Sequence, residues 1–259
     1  MSRALAAITA LGRTLMLSAM PFSCPCGEGG VHLCPACRAS LGTPATRVDS
    51  VCDALQIAAP APSGALGEEH YTSLLPVFAL GPYAGRRRDI VLDFKNSGHF
   101  ALAPMIAASF ATALADVPCR DSHPHLIVPA PSRMAAVRRR GDDHMRLVVR
   151  ALAGYAGADS ALLVEGPALA LGGHSQRARG ARARVAAGDR TMTARRPRAW
   201  QGYRGAHALI IDDVVTTGST LRLMVAALRE QGVSPCAALT MASASMPRGR
   251  AVPGAHLPF

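Results

Sequence analysis

The chain has 259 residues, of which 49% are hydrophobic, enough for one α/β domain of ordinary size and a small appendage. No apolar run is long enough to span a membrane, and seven cysteines, four of them clustered near the N-terminus, are not the pattern of a secreted disulfide-rich protein. We therefore expect a cytoplasmic protein. A signal peptide is the alternative for residues 1–20, but Arg13 interrupts their apolar stretch, which favours an amphipathic helix.

The net charge is +11, and its distribution along the chain is uneven. Nine arginines lie between residues 171 and 204, against a single acid, Asp189. A basic, glycine-containing segment of this kind is usually a solvated loop, and the alternative is a mobile loop that covers an anionic ligand. A basic surface also suggests a nucleic-acid partner, which neither alternative requires.

Apolar runs that alternate with helical patterns predict a parallel sheet packed against helices. In chain order, we expect a helix at 1–20, a cysteine module at 21–42, a linker rich in proline, alanine and glycine at 43–69, an α/β domain at 70–242 and a disordered tail at 243–259. Within the domain, strands are predicted at 75–80, 125–128, 162–164, 208–213 and 237–241. Helices are predicted at 90–95, 100–114, 134–155 and 217–231.

The cysteine module holds two close pairs, Cys24 with Cys26 and Cys34 with Cys37. Four thiolates in two pairs suit a tetrahedral zinc ion, for which Cys-x-x-Cys is the usual spacing. The second pair has this spacing, whereas the first is one residue short, so His32 is a candidate substitute ligand. A redox-active dithiol in the second pair, or four simple reduced cysteines, are the alternatives. We expect a structural zinc ion bound to all four cysteines.

The segment 209–220 places two carboxylates and a hydroxyl-rich turn directly after a buried strand. The apolar run ends at Asp212 and Asp213, and the turn 216–220, of sequence Thr-Thr-Gly-Ser-Thr, opens a helix. Backbone N–H groups at a helix N-terminus bind phosphate, and the glycine lets an anion approach the backbone. Carboxylates repel phosphate, so the acidic pair indicates a ligand that also carries hydroxyl groups, such as ribose 5-phosphate. A turn whose hydroxyls merely cap the helix is the alternative.

This motif resembles the phosphoribosyl pyrophosphate motif of type I phosphoribosyltransferases. The resemblance implies a type I phosphoribosyltransferase-like α/β domain in which Asp212 and Asp213 hold the ribose 2- and 3-hydroxyls. The cradle that it implies for the 5-phosphate consists of Val215, Thr216, Thr217, Gly218, Ser219 and Thr220.

A four-cysteine module, a linker and a C-terminal domain of this type are the layout of the ComF family, also called the competence-protein or amidophosphoribosyltransferase-like family. Two further segments are similar to that family: 81–95, which includes Lys95, and 128–141, where Val-Pro-Ala-Pro precedes a run of arginines and a glycine. Where the commoner family pattern has Phe-Asn-Gln, this chain has Asp142, Asp143 and His144. A lone histidine beside two aspartates is more often a surface group, so His144 is given no role.

The resemblance implies a glycosyltransferase that binds phosphoribosyl pyrophosphate with Mg²⁺ and attaches a nitrogen acceptor at ribose C1. The residues expected to act in catalysis are Asp212, Asp213 and Lys95, and the candidates for contact with the pyrophosphate are Lys95, Arg133 and Arg140. Solvated surface cations are the alternative for the last three.

The second hypothesis is a non-catalytic accessory factor in DNA uptake, or competence. Its partner would be single-stranded DNA or a protein of the uptake machinery, contacted by the cysteine module and the basic surface. Arginines folded over the acidic pair would favour the enzyme, whereas arginines along an exposed groove would favour the accessory factor. The acceptor and the oligomeric state, including a homo-oligomer, are left open by the sequence.

Overall fold

The computed structural model describes residues 23–42, 44–59, 70–117, 125–132, 137–138, 141–155, 163–172 and 191–247. These residues form a mixed α/β fold around a six-stranded, mainly parallel sheet. The predicted helix at 1–20 and the predicted tail beyond residue 247 lie outside the described residues. In the part of the chain that is described, no helix is both long and apolar enough to cross a membrane.

The strands of these ranges are β1 (Thr46–Arg47), β2 (Gln56–Ala59), β3 (His70–Ser73), β4 (Val77–Ala79), β5 (His125–Pro129), β6 (Leu163–Glu165), β7 (Leu169–Gly172), β8 (Thr191–Ala194), β9 (His207–Val215) and β10 (Ser234–Ser243). The α-helices are α1 (Pro35–Leu41), α2 (Gly85–Leu92), α3 (Ala103–Ala113), α4 (His144–Tyr155) and α5 (Ser219–Glu230). The sheet order is β1-β4-β10-β9-β5-β6, in which only β1 runs antiparallel to its neighbour. This order confirms the predicted α/β fold with a mainly parallel sheet.

The central strand β9 is covered on both faces, and its sequence explains why. Leu209 and Ile211 belong to the core cluster that includes α3 and α4, whereas Ala208 and Ile210 belong to the cluster that includes α5. Because alternate residues of a strand point to opposite faces, a strand packed on both sides needs a continuous apolar run. The acidic pair therefore lies where this run ends, at the carboxyl end of the strand.

The segment 44–59, which we predicted to be part of a linker, packs several of its side chains into the core. β1 pairs with β4 at the edge of the sheet, and Val48, Cys52 and Leu55 are each 0% exposed. The proline and glycine of the expected linker are concentrated in its second half, so the composition of the whole stretch concealed a buried first half. The spacing of the three apolar residues, four and then three apart, is the pattern that marks a buried face.

The helix predicted at 134–155 is interrupted in the structure, since α4 begins only at His144. Gly141 has a φ of +86°, a left-handed conformation that glycine adopts readily and that is typical of a helix end. In α4, Met145, Val148 and Leu152 are buried, and their spacing places them on one face of the helix, toward the core.

The helix predicted at 90–95 starts earlier and ends differently. It comprises α2 and then a single π-helical turn, Asp93–Ser97, which Gly98 ends with a φ of +72°. The wider π turn redirects the chain, and such turns are frequent at functional sites. Here it carries Lys95. At the other end of the domain, β10 runs to Ser243, one residue into the predicted tail.

Candidate functional site

The carboxyl end of β9 and the start of α5 line an open cleft. Its lining is formed by Asp212, Val214, Val215, Thr216, Gly218, Ser219, Thr220 and Leu221. The cleft therefore brings together one residue of the acidic pair and most of the hydroxyl-rich turn, as the sequence motif predicts. In open α/β sheets this edge is where ligands bind.

Gly218 is required at the turn for two separate reasons. Its φ is +81°, and a Cβ at this position would lie 2.7 Å from Cγ of Leu55 and 3.1 Å from Cβ of Cys52. The short 3₁₀ segment Asp53–Leu55 also holds the turn from below, because the N–H of Ala54 donates to the carbonyl of Thr217 at 2.9 Å. The segment expected to be a linker thus supports the hydroxyl-rich turn 216–220.

The first turn of α5 supplies the features that an anion needs. The helix has 12 residues, and its first N–H groups and the positive end of its dipole point toward the cleft. Thr217 accepts a hydrogen bond from the N–H of Ser219 at a long 3.4 Å, so the turn is only weakly capped by its own side chains. A phosphate can therefore take most of these donors.

Asp213 is buried, at 5% exposure, and is fully engaged by neighbouring groups. Its Oδ1 accepts from the N–H of Val214 at 2.7 Å, and its Oδ2 lies 2.6 Å from Nζ of Lys95 and 3.0 Å from Nε2 of His144. Burial by itself would raise the pKa of Asp213, but the hydrogen bond from His144 and the charge of Lys95 outweigh it and hold this pKa at about 2. Asp213 is therefore a permanent carboxylate.

Asp212 has a different environment, although it is the next residue. It is partly buried, lines the cleft, and its Oδ1 accepts from the N–H of Asp213 at 2.8 Å. Burial raises the pKa of Asp212 to about 8, and the charge of the neighbouring Asp213 contributes to the rise. The carboxyl group that faces the cleft is thus the one whose charge a ligand would have to stabilise.

Of the predicted pyrophosphate contacts, Lys95 lies beside the acidic pair, with its side chain 43% exposed. Arg133 and Arg140 lie outside the described residues, as do the arginines between 173 and 190. The arrangement of the basic segment, which was to separate the two functional hypotheses, therefore stays a prediction.

Sequence reasoning missed His144, which is not a surface group but is 3% exposed and contacts Asp213 directly. Its Nδ1 lies 3.2 Å from Oγ of Ser132, which in turn donates to Oδ1 of Asp143 at 2.9 Å. A signal was present in the sequence. His144 precedes Val148 and Leu152 by four and eight residues, so it falls on the buried face of α4.

The four cysteines of the N-terminal module meet at one point. The Sγ atoms of Cys24, Cys26, Cys34 and Cys37 all lie within 4.8 Å of one another. Those of Cys26 and Cys34 are 3.7 Å apart, and a tetrahedral zinc ion with bonds of about 2.3 Å would place its sulfurs about 3.8 Å apart. The short first pair therefore does not prevent a tetrahedral arrangement, and the donor set fits a metal such as zinc.

Backbone N–H groups support the same interpretation, because they donate to sulfur as they do around bound thiolates. The N–H of Cys34 lies 3.3 Å from Sγ of Cys24, and that of Cys37 lies 3.5 Å from Sγ of Cys34. His32, the candidate substitute ligand, is not in the cluster. Its Nδ1 is 2.8 Å from Nε2 of His99.

The fold and the site define a class of protein: a mainly parallel α/β domain with an acidic pair and a hydroxyl-rich turn at the end of its central strand, preceded by a four-cysteine cluster. Residues 171–251 match the family model of the phosphoribosyl transferase domain. The match includes β9, α5 and β10, and therefore the whole motif. A search of curated proteins finds no match for the chain. The C-terminal part of the domain is thus similar to a phosphoribosyl transferase domain, and a four-cysteine cluster lies on its N-terminal side.

Proposed function

We propose that the protein binds phosphoribosyl pyrophosphate with Mg²⁺ in the cleft and transfers the phosphoribosyl group to a nitrogen acceptor. The observation that carries the proposal is the shared cleft of Asp212 and the turn before α5. A carboxylate suits hydroxyl donors, and a helix N-terminus suits a phosphate. Ribose 5-phosphate carries both groups within one small molecule.

The residues divide the ligand between them. Asp212 accepts hydrogen bonds from the ribose hydroxyls, and the turn from Thr216 to Thr220 holds the 5-phosphate. Lys95, which lies beside Asp213, contacts the pyrophosphate with its ammonium group. Asp213, which is engaged by Lys95 and His144, orients these two side chains and does not itself accept from the sugar.

Mg²⁺ fits this site because it prefers oxygen ligands and is usually held by one or two carboxylates together with substrate phosphates. Asp212 is the carboxylate available for that role. When bound, the ion would neutralise charge on the departing pyrophosphate. The transfer breaks the bond between C1 and the pyrophosphate oxygen, which keeps the electron pair, and forms a bond between C1 and the acceptor nitrogen. The proton lost by that nitrogen passes to solvent.

The four-cysteine cluster supports a structural zinc site and, with the phosphoribosyltransferase-type domain behind it, a protein of ComF type. Zinc would hold the loop 24–34 and α1 together, which a module of this size cannot do with its own small core. The cytoplasm, where thiols stay reduced, is the compartment that such a site favours.

The proposal is tested by calorimetric titration of the purified protein with phosphoribosyl pyrophosphate, with and without Mg²⁺. We expect Mg²⁺-dependent micromolar binding that the substitution Asp212→Asn abolishes while the thermal unfolding midpoint is kept. Asp116→Asn, an exposed aspartate at the end of α3, is the matched control and should bind like the wild type. Absence of heat and of any thermal shift with the wild type would refute the proposal.

A further inference from the structure

We propose that His144 is a positioning residue that keeps Asp213 hydrogen-bonded while Lys95 moves to the pyrophosphate of the bound substrate. The inference rests on the proposed function and deepens it. It assigns to His144 a role that acts through Asp213 and Lys95, without contact between the imidazole and the ligand.

The geometry at Asp213 is the first step. One oxygen, Oδ2, lies next to two side chains, with Nζ of Lys95 at 2.6 Å and Nε2 of His144 at 3.0 Å. The other oxygen already accepts from the backbone N–H of Val214. The carboxylate therefore keeps a side-chain donor when either partner leaves.

Burial decides which of the two side chains can leave. The side chain of Lys95 is 43% exposed, whereas those of His144 and Asp213 are 4% and 7% exposed. A long side chain that already reaches solvent can swing toward a ligand, but a ring buried in the core cannot. A buried carboxylate without a partner is strongly unfavourable, so Lys95 is released only if another donor stays behind.

The hydrogen bonds of His144 allow it to stay on Asp213. Its Nδ1 lies 3.2 Å from Oγ of Ser132, which donates to Oδ1 of Asp143 at 2.9 Å. Its Nε2 lies 3.0 Å from Oδ2 of Asp213, where a ring N–H donates to the carboxylate. The edge-on contact of His144 with Phe94, at a centroid distance of 5.4 Å, fixes the ring beside the turn that carries Lys95.

Loss of His144 should therefore affect the binding of one ligand and not of the other. Without His144, Lys95 becomes the main charge partner of Asp213 and is held back from the pyrophosphate. Ligands that carry a pyrophosphate should then bind more weakly, whereas ribose 5-phosphate, which has no such group, should be unaffected. A role confined to the stability of the fold would weaken both ligands alike.

The test compares the dissociation constants of phosphoribosyl pyrophosphate and ribose 5-phosphate in His144→Leu, Lys95→Ala and the double variant. We expect each single substitution to weaken phosphoribosyl pyrophosphate by about tenfold or more, the effect of losing a charge-assisted contact, and ribose 5-phosphate by less than about twofold. The double variant that combines His144→Gln with Lys95→Ala leaves a donor for Asp213, and it should be no worse than Lys95→Ala alone, because both changes act on the same contact.

His144→Gln keeps an N–H donor for Asp213 on a side chain of different shape, so it should fall between the wild type and His144→Leu, and it serves if the leucine variant does not fold. His207→Gln, a histidine at the opposite end of β9, is the matched control. Equal losses for the two ligands, additive losses in the double variant, or no loss at all would overturn the inference alone. Failure of the wild-type protein to bind either ligand would overturn the proposed function as well.

Discussion

Asp212 and Asp213 are adjacent in sequence, but their surroundings give them opposite properties. Asp213 lies beside Lys95 and His144, which hold its pKa at about 2. Burial and the charge of Asp213 raise the pKa of Asp212 to about 8. Neighbouring residues of a strand face opposite ways, so an acidic pair at a strand end divides between the core and the cleft. The sequence motif treats the two residues as equals, and we propose that only Asp212 serves the sugar.

This difference predicts that ligand binding releases a proton. Below pH 8 the carboxyl group of Asp212 is mostly protonated, and it must ionise before it can accept from two sugar hydroxyls. Affinity for ribose 5-phosphate should therefore rise as the pH increases toward 8, by at most about tenfold per pH unit, and then level off. Calorimetry at pH 7 in two buffers of different ionisation enthalpy should show close to one proton released per ligand bound. An observed heat that does not depend on the buffer would contradict this assignment.

Candidate site residues could be predicted from the sequence where they are adjacent along the chain. They could not be predicted where they meet only in the folded structure. The acidic pair and the turn follow from one short motif. His144 lies 69 positions before Asp213, and nothing in its neighbourhood along the chain indicates which carboxylate it meets. The helical spacing of His144 with Val148 shows that it is buried, but only the packing of α4 beside β9 shows its partner.

At the scale of elements, the turn 216–220 is held in place by a segment that is distant in sequence. The segment Asp53–Leu55 contacts the turn through Leu55, which lies against Gly218, and through the bond from Ala54 to Thr217. On the outer side, the guanidinium of Arg222 in α5 donates to the carbonyl of Ala54 at 2.9 Å. The turn is therefore clamped between its own helix and the segment before β2.

We expect Gly218→Ala to abolish phosphate binding, because the new Cβ meets Leu55 and because a φ of +81° costs an L-residue about 1–2 kcal/mol. Leu55→Ala alone should lower the free energy of unfolding by about 2–5 kcal/mol, the usual cost of a large-to-small change in a core. In the double variant the collision is removed and the backbone strain is kept. The loss in its free energy of unfolding, measured by urea denaturation, should therefore be smaller than the sum of the two single losses. Additive losses would show that Leu55 does not support the turn.

The elements themselves show what periodicity can and cannot predict. The continuous apolar run of β9 and the regular helical period of α5 allowed both elements to be predicted close to their observed limits. The buried segment before β2 was missed because it consists of short 3₁₀ turns, with only three buried apolar residues, in a stretch that continues into proline and glycine. The π turn that carries Lys95 was likewise predicted as ordinary helix.

At the scale of the whole molecule, the cysteine cluster and the cleft are connected through α2 and the π turn. Nη1 of Arg86, in the first turn of α2, lies 3.8 Å from Sγ of Cys37. At the other end of the π turn, His99 contacts His32 of the cysteine module at 2.8 Å and Asp93 at 2.7 Å. Both ends of the segment that carries Lys95 are thus held by the module or by residues that contact it.

The zinc site that we propose should therefore affect the cleft as well as the module. Protein purified without chelator should contain about one zinc ion per chain, and removal of the ion should lower the thermal unfolding midpoint, because binding energy at such a site is folding energy. We expect the same treatment to weaken phosphoribosyl pyrophosphate more than ribose 5-phosphate, since only the former needs Lys95 in place. Cys34→Ser should reproduce both effects. Cys52→Ser, which changes a buried thiol outside the cluster, should lower stability without changing the metal content.

Two results would contradict this prediction in different ways. A metal content near zero would remove zinc from the proposal. Equal losses of affinity for phosphoribosyl pyrophosphate and ribose 5-phosphate when zinc is removed would show that the module stabilises the fold without positioning Lys95.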